Sequence, residues 1–507
     1  MKTDLRWRGT YPTYAVAAAA SLALSLGGAW AVTIPNPDAA LYLRSAELIQ
    51  AGRWGEALQV YGWPTYSALI AALMRVSGCG ALAAALALNA VFAVVTTLAF
   101  IGLVQRLADA DRTVVACAAL VILLQPQLTQ LRTTIVRDNG YLAFFVLSLY
   151  WVAADLAAPR RCAKLAIACS ILAAGLFRIE GFFLAVWIPA FYVTRQPGGW
   201  RRPPVLAAAL AVVLLAMPGV MLWSGGALGQ WLAGQGALGG PVHHWRDLLD
   251  SIQWRVGRLK SEVLFPYGGG NAWSAYVGMA IGIVVINVAR AMSVPLALLT
   301  PFAFVPKRLV PRQVAAFVLW FGSGQLLVLF VFTFVNMLLD KRYAVGLALL
   351  FDIPLAFLLA GMVRALRSGS PASTLSSRVL PVLVGAVFVA VFAFALPRPS
   401  KLEYLRQAGL WVGQEVGPGD RVITNDSRIA YYSGRPYGDS MRMWTYGFHP
   451  APSPAELDGF DYLVLQARDP AELPALIQAL PGKQVVRTFE GKDGGQVIVY
   501  HREHAAR

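Results

Sequence analysis

The chain has 507 residues, of which 57% are hydrophobic and only 14% are charged, and its mean hydropathy is +0.56. This composition excludes a water-soluble globular protein and indicates that most of the chain lies in lipid. The net charge of +16 would favour nucleic-acid binding in a soluble protein, but the Lys and Arg residues lie mostly in short loops between apolar stretches. That placement is a topology signal, and we expect no nucleic-acid partner.

Apolar stretches long enough to cross a bilayer recur along the chain and predict a mainly α, polytopic transmembrane bundle of about eleven helices. The first follows Lys2, Arg6 and Arg8 and is long enough to span, so we expect a retained helix rather than a cleaved signal peptide. The predicted spans are 12–32, 79–105, 113–131, 139–157, 162–177, 179–195, 204–224, 275–303, 313–338, 342–364 and 378–396.

Basic residues fall in every second loop, and the positive-inside rule makes those loops cytoplasmic. We therefore expect a multi-pass protein of the bacterial inner membrane with a cytoplasmic N-terminus. Segment 33–63, predicted to contain an amphipathic helix, and the Gly- and Trp-rich loop 225–272 then lie outside. Segment 64–77 predicts a further short helix.

Hydropathy falls after residue 396 and an α/β pattern begins. The pattern predicts helices near 401–415 and 470–480, and strands at 421–424, 462–466, 485–489 and 496–500. Two domains follow from this reading. A transmembrane domain spans residues 1–396, and a small soluble α/β domain on the periplasmic side spans residues 397–507.

Four groups of charged residues share the predicted outer face. They are Asp38 after the first helix, Arg137-Asp138 before the fourth, Arg178 with Glu180 in an outer hairpin, and Asp340 to Tyr343 before the tenth. Taken singly, Asp38 is typical of a helix N-cap, and the others are typical of helix ends anchored at lipid headgroups. Their convergence on one face is better explained by a site that binds an anion near the membrane surface.

This pattern resembles the GT-C superfamily of integral-membrane glycosyltransferases, of the protein mannosyltransferase and aminoarabinose transferase type. The resemblance covers the layout of residues 10–365. Its motifs are Asp38 with Tyr42-Leu43, Trp63-Pro64-Thr65-Tyr66, Arg137-Asp138, Arg178-Ile179-Glu180-Gly181 and Arg342-Tyr343. The related mannosyltransferases have an Asp-Glu pair after the first helix, whereas Asp38 is followed here by Ala39.

The resemblance implies transfer of a sugar from a polyprenyl-phosphate donor, of the undecaprenyl-phosphate type, to an envelope acceptor that is a glycan, lipid or protein. Asp38 would be the general base and Asp138 a second acid that orients the acceptor. The residues expected to bind the donor phosphate are Arg137, Arg178, Lys341 and Arg342, and those expected to bind substrate are Tyr42, Glu180 and Tyr343. No cofactor is required, but a divalent metal would be held by Asp138 with His243 and His244.

Three other functions fit a multi-pass chain. A transporter or lipid flippase would use polar groups in the middle of the membrane, where Asn287, Arg290 and Asp352 are the candidates. An O-antigen ligase or polymerase would share the many helices and the long outer loop, but would need neither Asp38 nor a C-terminal α/β domain. A non-catalytic scaffold would tolerate the loss of every outer-face charge.

Overall fold

The computed structural model describes residues 10–32, 34–195, 245–264, 266–304, 310–367, 375–397, 401–436, 440–443, 459–467, 483–492 and 494–502. Several predicted features lie outside these residues: the span 204–224, residues 225–244 of the outer loop with His243 and His244, and the helix near 470–480.

Up to residue 397 the described residues are almost entirely helical. The α-helices are α1 (Tyr11–Ala31), α2 (Pro37–Gln50), α3 (Trp54–Val60), α4 (Thr65–Ser77), α5 (Ala81–Leu107), α6 (Arg112–Leu124), α7 (Pro126–Leu131), α8 (Asp138–Ala157), α9 (Arg161–Phe177), α10 (Leu184–Arg195), α11 (Trp245–Arg258), α12 (Ala272–Met292), α13 (Val294–Phe304), α14 (Arg312–Asn336), α15 (Val345–Arg367) and α16 (Leu375–Ala395). Short 3-10 turns cover Ile179–Phe183, Pro266–Asn271 and Lys341–Ala344, and a π turn covers Leu259–Val263.

Six helical segments within the described residues are long and apolar enough to cross a membrane. They are Tyr11–Ala31, Ala81–Leu107, Asp138–Ala157, Gly268–Met292, Arg312–Asn336 and Lys341–Arg367. The described residues of the other predicted spans are helical too, in shorter pieces. The predicted mainly α, polytopic membrane bundle is therefore confirmed.

Two predicted spans are broken where the sequence suggested a single helix. Span 113–131 divides into α6 and α7, because Pro126 has no N–H for the helical ladder and starts a new helix. The side chain of Gln125 caps that new helix by accepting a hydrogen bond from the Leu128 N–H at 2.6 Å. Span 275–303 divides into α12 and α13 at Ser293, whose φ is +68°.

The C-terminal region is a small α/β unit, as predicted. Its elements are α17 (Glu403–Glu415), β1 (Val422–Thr424), α18 (Ser427–Ser433), β2 (Met441–Met443), β3 (Tyr462–Ala467), β4 (Lys483–Glu490) and β5 (Gln496–Arg502). The sheet order is β2-β1-β3-β5-β4, with β1 parallel to β2 and β3, and with β5 antiparallel to β3 and β4. The short elements α18 and β2 were not predicted.

This α/β unit rests on α2 through α18. The Ser427 hydroxyl donates to the carbonyl of Pro37 at 2.6 Å, and the Tyr431 hydroxyl donates to Glu47 Oε1 at 3.1 Å. One end of this contact is the residue before Asp38. The C-terminal region therefore lies directly beside the predicted base.

Candidate active site

Asp38 lies in the first turn of α2, and the residues before it set its position. Pro37 fits the first turn because an N–H there would have no helical partner, and Asn36 occupies the N-cap position. The Asn36 amide makes no cap bond but pairs with the backbone of Ile135, accepting from its N–H at 2.8 Å and donating to its C=O at 3.3 Å. Asp38 is therefore not the N-cap of this helix.

The carboxylate of Asp38 is bound instead by Arg342, which lies 304 residues later in the chain. Arg342 Nη1 donates to Asp38 Oδ2 at 2.5 Å, and the two side chains are 25% and 44% exposed, so water reaches the pair. Asp340 fixes the turn that carries Arg342, because its Oδ1 accepts from the Arg342 N–H at 2.9 Å. The Asp38–Arg342 ion pair is thus built by local capping on one side and by α2 on the other.

A cavity of about 360 Å³ opens beside this ion pair. Its lining includes Asp38, Lys341, Arg342 and, from α7, Gln130. Lys341 Nζ donates to Gln130 Oε1 at 2.8 Å. The break before Pro126 makes α7 a separate helix, and this helix carries Gln130 to the cavity wall.

A second ion cluster is formed by Asp138, Arg178 and Glu180. Arg178 Nη1 donates to Asp138 Oδ1, while its Nη2 and Nε donate to the Glu180 carboxylate at 2.5 and 3.2 Å. The side chains of Arg178, Asp138 and Glu180 are 7%, 6% and 18% exposed. Burial alone would raise the pKa of Glu180, but Arg178 outweighs it and lowers that pKa to about 2. Glu180 is therefore ionised at any physiological pH.

Two glycines allow this buried cluster to form. A Cβ atom on Gly140 would overlap the ring of Phe177, and one on Gly181 would overlap the backbone of Ala174. The end of α9 can therefore approach the first turn of α8 closely. That approach places Arg178 against Asp138.

Tyr343 joins the two ion clusters. The guanidinium carbon of Arg178 lies 4.2 Å from the centre of the Tyr343 ring, and that of Arg342 lies 5.2 Å from it. Arg342 Nη2 also donates to the Tyr343 hydroxyl at 3.4 Å. The structure thus brings together residues of the outer-face groups that the sequence placed at four separate points of the chain.

Arg137 is held by aromatic rings rather than by a carboxylate. Its guanidinium carbon lies 5.9 Å from the ring centre of Tyr61 and 5.6 Å from that of Trp63. Tyr42 lies behind these rings, only 5% exposed, with its hydroxyl 3.3 Å from that of Tyr61. Burial, and secondarily Tyr61, raises the pKa of Tyr42, so its phenol stays neutral. Tyr42 is therefore a buried residue that packs beneath Tyr61, and Tyr61 is the tyrosine that contacts Arg137. Tyr61 was not among the residues predicted from the sequence.

The cations of the site differ in whether their charge is already matched. Arg178 and Arg342 are paired with carboxylates. Among the residues that the structure describes, no carboxylate lies within ion-pair distance of Arg137 or Lys341. An anion in the cavity would therefore meet the unpaired charge of Lys341, whereas Arg137 does not line this cavity.

The described residues do not form a metal centre. No group of three His, Cys, Asp or Glu side chains suited to a metal is found among them. Asp138, the predicted carboxylate ligand, is bound to Arg178, and the histidines proposed with it lie outside the described part of the chain.

No family model matches the chain, and no curated protein sequence matches it either. Among solved structures, the cryo-EM structure of the arabinofuranosyltransferase AftD from Mycobacteria matches 98% of this chain at 16% identity, with a TM-score of 0.51. The chain shares the fold of that structure. The match covers 40% of the AftD chain, so this chain spans less than half of that protein's length.

Two crystal structures of ArnT from Cupriavidus metallidurans also match, one in the apo state and one bound to undecaprenyl phosphate. Both matches cover 97% of this chain and 98% of the ArnT chain, at 15% and 14% identity, with TM-scores of 0.43. The match to AftD supports the predicted fold, a polytopic helical bundle with a small α/β region, and an identity of 16% leaves the activity to be argued from the site itself.

Proposed function

We propose that this protein is a GT-C-type glycosyltransferase that moves a sugar from a polyprenyl-phosphate donor, of the undecaprenyl-phosphate type, to an envelope acceptor. The observation that carries the proposal is the cavity of about 360 Å³ where the accessible carboxylate of Asp38 lies beside Arg342 and Lys341, and we call this space the catalytic cavity. A base and phosphate-binding cations in one small cavity are the two kinds of group that this transfer needs.

The donor phosphate belongs on the cationic side of the cavity. Lys341 and Arg342 line it, and Lys341 has no carboxylate partner among the described residues. Arg137 also has no carboxylate within ion-pair distance among the described residues, but it packs on Tyr61 and Trp63 and does not line the cavity. Cations fixed in a partly buried site stabilise the charge that develops on a departing phosphate more strongly than cations in water do.

In the proposed reaction an acceptor hydroxyl loses its proton to Asp38 as its oxygen bonds to C1 of the sugar. The bond between C1 and the phosphate oxygen breaks, and its electron pair leaves with the lipid phosphate. Arg342 and Lys341 take up that negative charge. Arg342 binds Asp38 and also lines the cavity where the phosphate is placed. Donor binding therefore draws Arg342 toward the phosphate and frees a carboxylate oxygen of Asp38 to accept the proton.

We assign Asp138 and Glu180 to positioning rather than to proton transfer. Both carboxylates are bound by Arg178, which packs on Tyr343, which in turn contacts Arg342. The buried cluster acts on the reaction by holding the Tyr343 ring and the Arg342 guanidinium beside Asp38. Tyr42 acts in the same way through Tyr61.

The proposed topology puts the N-terminus in the cytoplasm of a bacterial inner membrane and the catalytic cavity and residues 397–507 in the periplasm. Reporter fusions at residues 108, 162 and 310 should then report the cytoplasm, and fusions at 250 and 450 the periplasm. A cytoplasmic report at 450 would contradict a lipid-linked donor on the outer face.

The proposed base is tested by Asp38→Asn, which keeps the shape of the side chain and an oxygen for Arg342 but cannot take up a proton at neutral pH. Transfer from a purified polyprenyl-phosphate sugar in vesicles should fall by about two orders of magnitude or more, with an unchanged melting temperature. The matched control is Glu56→Gln, which alters an exposed carboxylate paired with Arg53 on the same outer segment. The control should transfer sugar like the parent, and near-normal transfer by Asp38→Asn would remove Asp38 from the reaction.

A further inference from the structure

A large cavity of about 890 Å³ lies among α8, α9 and α10, and its lining shares no residue with the catalytic cavity. We call this space the α9–α10 groove. Lys164, in the first turn of α9, belongs to its lining, whereas Arg178 of the buried ion cluster follows the last turn of the same helix. At 1.5 Å per residue these two positions are about 20 Å apart along the helix. The groove is therefore separate from the proposed site of transfer.

The groove is a slot that runs along two of the predicted membrane spans. Its lining residues recur at helical spacing on α9 from Lys164 to Leu172, and on α10 from Ala185 to Tyr192. Eight residues of helix measure about 12 Å, so the slot is longer than one side chain. Between these end residues, every lining residue of the two helices is apolar. This length and composition suit an acyl chain that lies parallel to the helices.

One end of the groove holds a buried carboxylate. Asp155 lines it and is only 3% exposed. Its Oδ2 accepts from the Tyr192 hydroxyl at 2.9 Å, and its Oδ1 accepts from the Arg160 N–H at 3.1 Å. Among the described residues, no cation lies within ion-pair distance of this carboxylate. A carboxylate held by neutral donors at a membrane helix has a charge left to be matched, which marks a binding site.

The same end of the groove carries a cation. Lys164 lines it and is exposed, and within the part of the chain that the structure describes no carboxylate is in ion-pair range of its ammonium. Arg160 and Arg161, both exposed, add positive charge around this end. A carboxylate and an ammonium thus line one cavity without pairing with each other. A ligand that carries both an ammonium and an anionic group would match both of them.

We infer that the α9–α10 groove binds a phospholipid with a primary-amine headgroup, of the phosphatidylethanolamine type. The headgroup ammonium donates to Asp155, the phosphate accepts from Lys164, and an acyl chain fills the apolar slot. A lipid with an anionic headgroup would match Lys164 but would bring negative charge against Asp155. A trimethylated headgroup has the positive charge but no N–H to donate. The inference does not depend on the proposed function, because it concerns a different cavity.

Competition between lipids tests the headgroup chemistry on the full-length parent. The purified, delipidated protein is mixed with equal amounts of phosphatidylethanolamine, phosphatidylcholine and phosphatidylglycerol that carry identical acyl chains, and bound lipid is counted by native mass spectrometry. Phosphatidylethanolamine should bind about tenfold more tightly than phosphatidylcholine, because only its ammonium donates hydrogen bonds to a carboxylate. Equal binding of these two lipids, or a preference for phosphatidylglycerol, would overturn the inference.

Two variants divide headgroup selectivity from overall affinity. Asp155→Asn removes the charge but keeps the side-chain shape, so the preference for phosphatidylethanolamine over phosphatidylcholine should fall to about twofold or less. Lys164→Ala should weaken both lipids by about tenfold and leave their ratio unchanged, since both carry the phosphate. The control Asp109→Asn alters an exposed carboxylate between α5 and α6, outside the groove, and should bind lipids like the parent. An unchanged lipid preference in Asp155→Asn would refute the headgroup site, and the comparison on the parent still decides if this variant folds poorly.

Discussion

The two ion clusters of the site differ in how far water reaches them. In the Asp38–Arg342 pair the side chains are 44% and 25% exposed, whereas in the cluster of Arg178 with Asp138 and Glu180 they are 7%, 6% and 18% exposed. A half-exposed ion pair contributes little stability, so its members can exchange a protein partner for a substrate. A buried one is costly to break, because a charge left without its partner has no water to replace it. We therefore propose that the open pair takes part in the reaction and that the buried cluster holds the architecture of the site.

The sharpest way to break this comparison is Arg178→Ala, which leaves two carboxylates without a partner in the interior. We expect a loss of about 3–5 kcal/mol in the free energy of unfolding, seen as a large drop in melting temperature and yield. The control Arg53→Ala breaks an exposed ion pair with Glu56 and should melt within a degree or two of the parent. If Arg178→Ala melts like the parent and loses only donor affinity, Arg178 is a phosphate ligand instead.

The approach of α9 to α8 is tested by Gly140→Ala. The new methyl group meets the ring of Phe177, and we expect a loss of about 1–3 kcal/mol in stability, measured as the melting temperature in detergent. Gly282→Ala in α12 adds the same methyl group where nothing lies within 4 Å, and it should be neutral or slightly stabilising. Equal behaviour of the two variants would mean that the buried cluster does not depend on close helix packing.

The variant Lys341→Ala tests the water-accessible part of the site, where Lys341 lies beside the Asp38–Arg342 pair. Loss of a charge-assisted contact costs about 1.5 kcal/mol or more, which is roughly a tenfold rise in the donor KM, with little change in melting temperature. Added salt should raise the donor KM of the parent more than that of the variant, because less charge remains to be screened. Arg53→Ala, which removes an exposed cation, serves again as the control and should leave the donor KM as in the parent.

The smallest effect is the pH dependence of Glu180→Gln. The pKa of Glu180 is lowered to about 2 from its ordinary value of 4.5, so its ionised form stabilises the protein above the ordinary pKa. This contribution is lost as the pH falls from about 4.5 toward about 2. The melting-temperature difference between parent and Glu180→Gln should therefore be constant from about pH 8 to about pH 5 and should narrow below that range. A difference that grows on acidification would contradict an ionised Glu180 in the folded state.

Much of the architecture was predictable because hydropathy and strand patterning are local properties. Ten of the predicted spans and four strands of the C-terminal region coincide with helices and strands among the described residues. The helix breaks at Pro126 and Ser293 were not predicted, because each lies within a long apolar stretch that was interpreted as one span, and the positive φ of Ser293 leaves no mark in the sequence. The short elements α18 and β2 were missed because they carry too few residues for a periodic pattern.

The candidate site was predictable as a set of charges but not as a set of partners. Placement of the charged groups on one face followed from topology, and the structure brings them together through Tyr343. Asp138, predicted as a second acid, is tied to Arg178, and Tyr42, predicted to bind substrate, is buried behind Tyr61. Gln130 lines the cavity and accepts a hydrogen bond from Lys341, a contribution that could have been suspected from its polar side chain in an apolar stretch.

The sequence by itself determined that this chain is a multi-pass helical membrane protein with a small α/β region at its end. Segments that lie in lipid differ from soluble segments in apolar composition and in the spacing of their apolar residues, and both properties can be seen in the sequence. Only the tertiary structure decided which charges are open and which are matched. Asp38 and Arg342 meet across 304 residues, and no local pattern encodes that contact. The close approach of α8 and α9 at Gly140 buries one cluster, while the turn at Asp340 leaves the other exposed. That difference in burial, rather than the identity of the residues, separates the proposed base from its supporting carboxylates.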